Sequence, residues 1–366
     1  MSFNGSKPVG SWTPSEARYE FRTNPEFEGL SCSGYCLGYL QANLAILPSS
    51  LADEFEQFCE LNRAPCPLLY RSRRGELSAG IMGQDSDVRT DLQKYCVSEN
   101  GIVTKKTGDL MAYPMNDYVS FYIGCSFSFE EALTAAGIQL QNVIQNRNVS
   151  MFKTNIPCVP VGPFTSPMVV SMRPIPKDLV EKTVVITAAY DAVHGAPIHI
   201  GDPSVIGIED INKEDFGEPS DIGDLIPVFW ACGVTSSLAV RSAKLPLSFS
   251  HSPGSMFICD ATVDGYFKIH KPEHGEEQPR LITLADQPFI ASVCSASAIQ
   301  KIEELAKIVE SASGIQGADF LKIAARLSHA PSVVIVFYMR KKAFPPRSPH
   351  RMVSKVHWLL SKLFKH

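Results

Sequence analysis

No stretch of this 366-residue chain is apolar enough to cross a bilayer: its longest uninterrupted apolar runs, such as residues 333–339, fall far short of the roughly 20 residues a spanning helix needs. The first thirty residues lack the apolar core of a secretory signal. They also lack the Arg-rich, acid-poor character of an organellar transit peptide, because Glu16, Glu20, Glu26 and Glu28 stand against only Lys7, Arg18 and Arg22. The expectation from these residues is an intracellular, cytoplasmic protein without an integral membrane segment. A basic stripe is missing from the body of the chain, which argues against a nucleic-acid partner. Clustered metal ligands are missing too: the one tight cysteine pair, Cys32 and Cys36, has no His or Cys among the next twenty residues. No metal and no cofactor are expected, and the ten cysteines, spread along the chain, read as reduced thiols. Acid is absent from one end altogether. No Asp or Glu follows Asp319, whereas ten Lys or Arg do, so the formal charge of −4 hides −14 on the first 319 residues.

What is present is a globular composition, 45% hydrophobic and 20% charged, in a chain long enough for about two domains. Thr13-Pro-Ser-Glu16 reads as the N-cap and first turn of a short helix, and residues 29–38 read as loop. Leu51, Phe55, Phe58 and Leu61 recur at helical spacing, which predicts an amphipathic helix over 49–62. The polar stretch 71–90 reads as a surface excursion. Two segments share one pattern: strand-like 118–124, Cys125, then a hydroxyl-led helix from 129; and strand-like 226–231, Cys232, then a hydroxyl-led helix from 237, with Ser128 and Thr235–Ser236 as the expected caps. Residues 168–172 and 184–188 read as further strands. The order implies an α/β to α+β domain with a mixed central sheet, two similar strand–Cys–helix units and sites at strand ends.

Several groups could carry chemistry. Cys125 sits where a helix N-terminus would stabilise a thiolate and where backbone N–H groups could bind an anion; Cys232 repeats the arrangement, so the two could act as a thiol acid/base pair at an amino-acid α-carbon. Either could equally be a small buried residue at a tight turn. His194-Gly-Ala-Pro-Ile-His199-Ile-Gly-Asp202-Pro places two imidazoles and a carboxylate on glycine-rich backbone, suited to acid/base work or to plain structural hydrogen bonding. The five-residue spacing of His194 and His199 weakens a two-histidine metal site. Arg173, directly after a strand, suits a bidentate grip on a substrate carboxylate, with Asn43, Arg147, Asn155 and His251 as further binding candidates.

Seven motifs occur in order: Gly38-Tyr-Leu-Gln-Ala-Asn43, Gly124-Cys-Ser-Phe-Ser-Phe-Glu130, Arg147-Asn148 with Asn155-Ile-Pro-Cys158, Met172-Arg-Pro-Ile-Pro176, Val193-His-Gly-Ala-Pro-Ile-His-Ile-Gly-Asp-Pro203, Pro227-Val-Phe-Trp-Ala-Cys-Gly-Val-Thr235 and His251-Ser-Pro-Gly254. Together, over about residues 10–262, they resemble the hydro-lyase family, also called the D-glutamate cyclase family. That resemblance implies a lyase acting on a small carboxylate. It includes animal members that fuse this domain to a second one, among them a mitochondrial enzyme interconverting 5-oxo-D-proline plus water with D-glutamate, so a mitochondrial matrix location is implied as well.

The implied organisation is a hydro-lyase domain over 1–265, a linker over 266–288, the start of a second α/β domain over 289–338, where helices 297–311 and 320–327 and a strand 332–339 are expected, and a basic tail over 339–366 that departs from the family pattern. Residues 352, 356, 359, 360 and 363 put an apolar face among lysines, as on an anionic membrane or a calmodulin-like partner; a shifted reading of the coding region is the alternative. Three functions stay open: the 5-oxo-D-proline lyase, a two-thiol racemase or epimerase, and a silent ligand-binding form. Catalytic candidates are Cys125, His194, His199, Asp202 and Cys232. The expected partner is a small carboxylate, with homo-oligomerisation left open.

Overall fold

The computed structural model describes residues 7–269, 280–283 and 291–294. The tail over 339–366 and the elements expected between 297 and 339 lie outside the described residues. A helix α7, Val263–Ile269, runs across the expected start of the linker at 266, and the strand Arg280–Thr283 inside it pairs antiparallel with Ala291–Cys294 beyond its expected end.

Helix α1, Pro14–Thr23, begins as its sequence dictates. Thr13 accepts from the Glu16 N–H while the Glu16 carboxylate accepts from the Thr13 N–H, a reciprocal cap with proline at the first helical position. Strand β1, Tyr39–Pro48, follows the expected loop and is buried along nearly its whole length. Helix α2, Ala52–Leu61, after a 3-10 turn at Ser49–Leu51, turns Phe55 and Phe58 inward. They meet Phe121 and Phe164 in an aromatic cluster, with Phe55 centroids 4.9 and 5.1 Å from the two partners.

The main sheet adds β2 (Leu68–Arg71), β3 (Tyr95–Glu99), β4 (Ile102–Thr107), β5 (Tyr118–Gly124), β10 (Ser248–His251) and β11 (Phe257–Thr262), in the order β2-β5-β1-β10-β3-β4 with β11 also on β1. A second sheet has the order β6-β7-β9-β8, built from β6 (Ser150–Pro157), β7 (Pro167–Ile175), β8 (His199–Ile200) and β9 (Ile226–Ala231). All pairings in both sheets are antiparallel. The α+β side of the expected range is thus realised, and the strands divide between two sheets. Both strand–Cys–helix units are present: β5 leads through Cys125 to α3 (Glu130–Ala135), and β9 through Cys232 to α6 (Val234–Ser242), one unit from each sheet.

Two expectations fail. Residues 184–188 lie in helix α5, Val180–Ala188, not in a strand: Val180, Thr183, Val184 and Thr187 are its buried residues at helical spacing, and the indole N–H of Trp230 donates to the Thr187 hydroxyl at 3.2 Å. The β-branched run hid that period. The stretch 71–90 is not a mere surface excursion either, because Ala79, Met82 and Val88 join the main core. Its polar residues are spent internally: Asp87 pairs with Arg89 at 2.6 Å, and Asp85 with the buried Arg18.

β1 changes partners along its length. It pairs with β11 at Gln41 and Ala42 and with β10 at Ala45 and Ile46, and at the change the Leu44 N–H bonds to Nδ1 of His251 at 3.2 Å. On the other side of β1, Gly124 ends β5 so close to the 191–193 turn that a Cβ there would stand 2.0 Å from the Ala192 carbonyl oxygen. Gly124→Ala is therefore expected to destabilise the protein by about 3 kcal/mol in urea titrations, through overpacking against backbone. Thr13→Ala, which removes only the helix cap, should cost about 1 kcal/mol.

Candidate active site

The two cysteine turns are near copies. The Cys125 N–H donates to the Gln41 carbonyl at 3.0 Å and the Cys232 N–H to that of Val169 at 2.9 Å, so a neighbouring strand fixes each entry. Each cysteine carbonyl then accepts from the N–H three residues on, Ser128 at 3.0 Å and Thr235 at 3.1 Å. Each thiol receives the N–H two residues on, from Phe127 and Val234. The expected caps do something else. Ser128 Oγ accepts from the Gln41 N–H at 2.9 Å and Thr235 Oγ1 from the Val169 N–H at 2.9 Å, so both hydroxyls pin the turns to strands rather than cap helices. α3 and α6 begin without a side-chain cap.

Both thiols belong to one buried cluster and sense each other electrostatically. They are 7% and 8% exposed, barely open to solvent. Burial pushes the Cys125 thiol well up, beyond what its N–H bond and Arg173 recover, and pushes Cys232 up to about 11. Desolvation therefore outweighs the helix termini, and the pair is protonated at neutral pH rather than stabilised as thiolate.

Asn43 and Gly233 lock the turns together. The Asn43 amide donates to the carbonyls of Ile123 at 3.2 Å and Gly124 at 3.0 Å, and a Cβ at Gly233 would fall 2.0 Å from that same nitrogen. Only glycine lets the second turn come this close.

Arg173, on β7, is fully buried. Its Nη2 donates to Glu130 Oε1 at 2.7 Å and to Ser126 Oγ at 3.1 Å, beside Cys125, and its guanidinium packs on Phe129 and Trp230 at 5.4 and 5.6 Å from the ring centroids. Glu130 in turn accepts from the Ser33 hydroxyl at 2.7 Å, and Asn142 donates to Ser33 at 3.3 Å. Arg173 is a fixed charge with its counter-ion built in, more than a mobile grip on substrate. Glu130, Ser126, Ser33 and Gly233 were not singled out by sequence reasoning. The one signal for Glu130 is an acid at the start of a helix directly behind a candidate nucleophile, and acids there are common on dipole grounds alone.

His194 also joins this group. It adopts a left-handed backbone at φ 87°, a strained conformation for a non-glycine residue of the kind that clusters at functional sites, and Gly195 follows at 65° without such strain. Its Nδ1 lies 2.8 Å from the Ala64 carbonyl, and the Gly124 carbonyl, one residue before Cys125, also faces the ring. Burial, with a smaller contribution from Arg173, holds the imidazole down to about 4, so it is neutral at pH 7.

The structure thus brings Asn43, Cys125, Arg173, His194 and Cys232 together and leaves the other five candidates elsewhere. His199 stacks on Phe229 and its Nε2 lies 2.6 Å from the Asp202 carbonyl, closing the 199–202 turn; the exposed Asp202 carboxylate caps the next turn through the Ser204 N–H at 2.9 Å. Arg147 holds the Pro219 carbonyl at 2.9 Å on the surface, and Asn155 is exposed beside Gly207. His251 serves the β1 backbone as described. Among the described residues no group of three or more His, Cys, Asp or Glu is placed to hold a metal ion, and no helix is long and apolar enough to cross a membrane.

Like His194, His251 is held down to about 4 by burial. The unfolded chain takes up these protons near pH 6.5 and the folded one only near pH 4, so stability is complete above about 6.5 and is lost as pH falls toward 4. Each histidine is expected to contribute on the order of 3 kcal/mol to that loss. Urea unfolding at pH 7 and at about pH 5 should show it, and the difference should shrink in His251→Gln.

Comparison with known proteins shows what the chain is similar to. The family model described as D-glutamate cyclase matches residues 119–260, which contain both cysteine turns, Arg173 and His194. A protein named "Putative hydro-lyase" from Bradyrhizobium sp. is 46% identical over 246 residues, 67% of this chain and 89% of its own length. One of the same name from Azorhizobium caulinodans is 49% identical over 232 residues, covering 63% and 85%, and one from Rhizobium johnstonii is 50% identical over 230 residues, covering 62% and 85%. A nitrogen repressor-like protein of Methanococcus jannaschii aligns in structure over 68% of this chain and 96% of its own at 10% identity, but with a TM-score of only 0.30. With nearly half its matched residues identical to proteins it covers almost end to end, the chain belongs to the hydro-lyase family whose model is that of D-glutamate cyclase.

Proposed function

We propose that the chain is a lyase acting on a small amino-acid-derived carboxylate at the paired cysteine turns, with 5-oxo-D-proline plus water and D-glutamate as the pair the family suggests. The observation that carries this reading is the convergence of two near-identical strand–Cys–helix turns, one from each sheet, on a shared buried thiol cluster flanked by Arg173 and His194. Opening a lactam needs stabilisation of a tetrahedral oxyanion, a base for water and an acid for the leaving amine. The turns supply N–H groups at Ser126 and Gly233 that follow the cysteines directly, and the oxyanion is assigned to them. His194, neutral at pH 7, takes the proton of the attacking water as that oxygen bonds to the lactam carbon. As the C–N bond breaks, a thiol of the pair, itself protonated, gives its proton to the departing nitrogen, and His194 returns the balance through solvent. Arg173 contributes a fixed positive field rather than a direct grip.

The same thiol pair favours a second reading, a racemase or epimerase in which the two sulfurs serve opposite faces of an α-carbon. Thiols held up by burial suit it less well, since one partner must begin as thiolate. The relatives named above are bacterial, so a mitochondrial location rests on the family resemblance alone. The domain limits at 265, 288 and 338 likewise stay proposals.

The test is incubation of the full chain with 5-oxo-D-proline, 5-oxo-L-proline and D-glutamate in deuterated water, read by mass spectrometry. Mass gain by hydrolysis, reduced about a hundredfold or more in Cys232→Ser and in His194→Asn, is expected. Deuterium at the α-carbon without ring opening would replace the lyase reading by the racemase one. Binding of D-glutamate with no turnover would replace both by a ligand-binding role.

A further inference from the structure

We propose that Glu130 is a positioning residue of the thiol site: by holding Arg173 through Nη2 it sets how much of the guanidinium charge reaches Cys125 and Cys232. This deepens the reading above by taking the thiol pair as the reactive centre. Three features of the geometry point to it. Arg173 and Glu130 are 0% and 2% exposed in their side chains and 2.7 Å apart, so neither charge is screened by solvent. The Nη2 that meets Glu130 also donates to Ser126 Oγ at 3.1 Å, in the residue after Cys125, so one nitrogen divides its charge between the counter-ion and the thiol turn. The guanidinium cannot swing away to adjust, because Phe129 and Trp230 pack on it, while Ser33 fixes the far oxygen of Glu130 at 2.7 Å.

Arg173 acts on both thiols and Glu130 on Cys125, Cys66 also lies within electrostatic reach of Cys232, and His194, which feels Arg173, is neutral. The field of the ion pair at Cys125 is accordingly the difference between one buried cation and one buried anion, whereas Cys232 feels it through the cation that the anion holds. The Arg173 charge acts to favour thiolate at both cysteines, and the Glu130 charge opposes it at Cys125.

The prediction is read without any substrate, so it stands or falls apart from the lyase reading. Iodoacetamide modification of Cys125 and Cys232 in the native full chain is followed by peptide mass spectrometry across neutral to alkaline pH. In Glu130→Gln the guanidinium is left uncompensated, and both thiols should react several-fold faster at a given pH, with the rate profile displaced to lower pH. Glu130→Asp should restore most of the wild-type profile. Removing one partner of a buried pair is strongly destabilising and could prevent folding, whereas removing both is often tolerated. The double variant Glu130→Met with Arg173→Met is the second arm, and there the thiols should react more slowly than in wild type, with the profile displaced to higher pH. Opposite displacements in the two variants support the assignment. Faster reaction in both, the result of simple loosening, would overturn it, as would profiles unchanged from wild type.

Discussion

A guanidinium with no exposure cannot sit in a protein interior unless its charge is answered there, and Arg173 imposes that condition on everything near it. Glu130 must lie at the start of α3, α3 must follow closely on β5, and so Cys125 must stand at the turn between them. β7, which carries Arg173, pairs with β9 from Ile175↔Ile226 through to Val170↔Ala231, and that register delivers Cys232. One ion pair thereby relates the thiol turns of two sheets. A second buried arginine performs a comparable task elsewhere. Arg18 of α1 donates to the Ile258 carbonyl at 2.8 Å and to Asp260 at 2.7 Å, tying the first helix to β11, while Arg22 reaches the fully buried Asp91 at 2.6 Å. Both arrangements cost desolvation and return specificity of placement.

The titratable thiols and imidazole at the paired turns carry no charge at neutral pH. The two thiols and His194 are all displaced by burial toward their neutral forms, the thiols upward and the imidazole downward. For the proposed reaction a neutral acid beside a neutral base suits an anionic substrate, because nothing in the pair would repel it and the ion pair behind them would supply the field. Such a site also resists adventitious thiol chemistry, since the reactive thiolate is scarce until the environment changes.

Much of the scaffold was legible because local chemistry and tertiary role agreed. The Thr13–Glu16 box, the spacing of Phe55 and Phe58, and the two strand–Cys–helix units each carry their own signal, and each stands where it was expected. α5 was illegible because the β-branched Val184, Val185 and Ile186 favour strands, and only the surrounding packing makes the helical face matter. The candidate site split for a related reason. Residue type alone made His199, Asp202 and His251 look equal to His194, yet the first two bond within a turn and the third gives its Nδ1 to the β1 backbone. Glu130 and Gly233 were invisible for the opposite reason: their importance lies in what approaches them, Arg173 in one case and the Asn43 amide in the other, and one-dimensional spacing does not record approach.

Because one cysteine turn is delivered by each sheet, the separation of the two sulfurs is a property of the seam between the sheets and not of either loop. Asn43 crosses that seam as a single side chain, rooted in the main sheet and wedged against Gly233 of the other. The environment of the two thiols is consequently a gauge of sheet spacing. Easing the layers apart would open the Asn43–Gly233 contact and so change the surroundings of both sulfurs together.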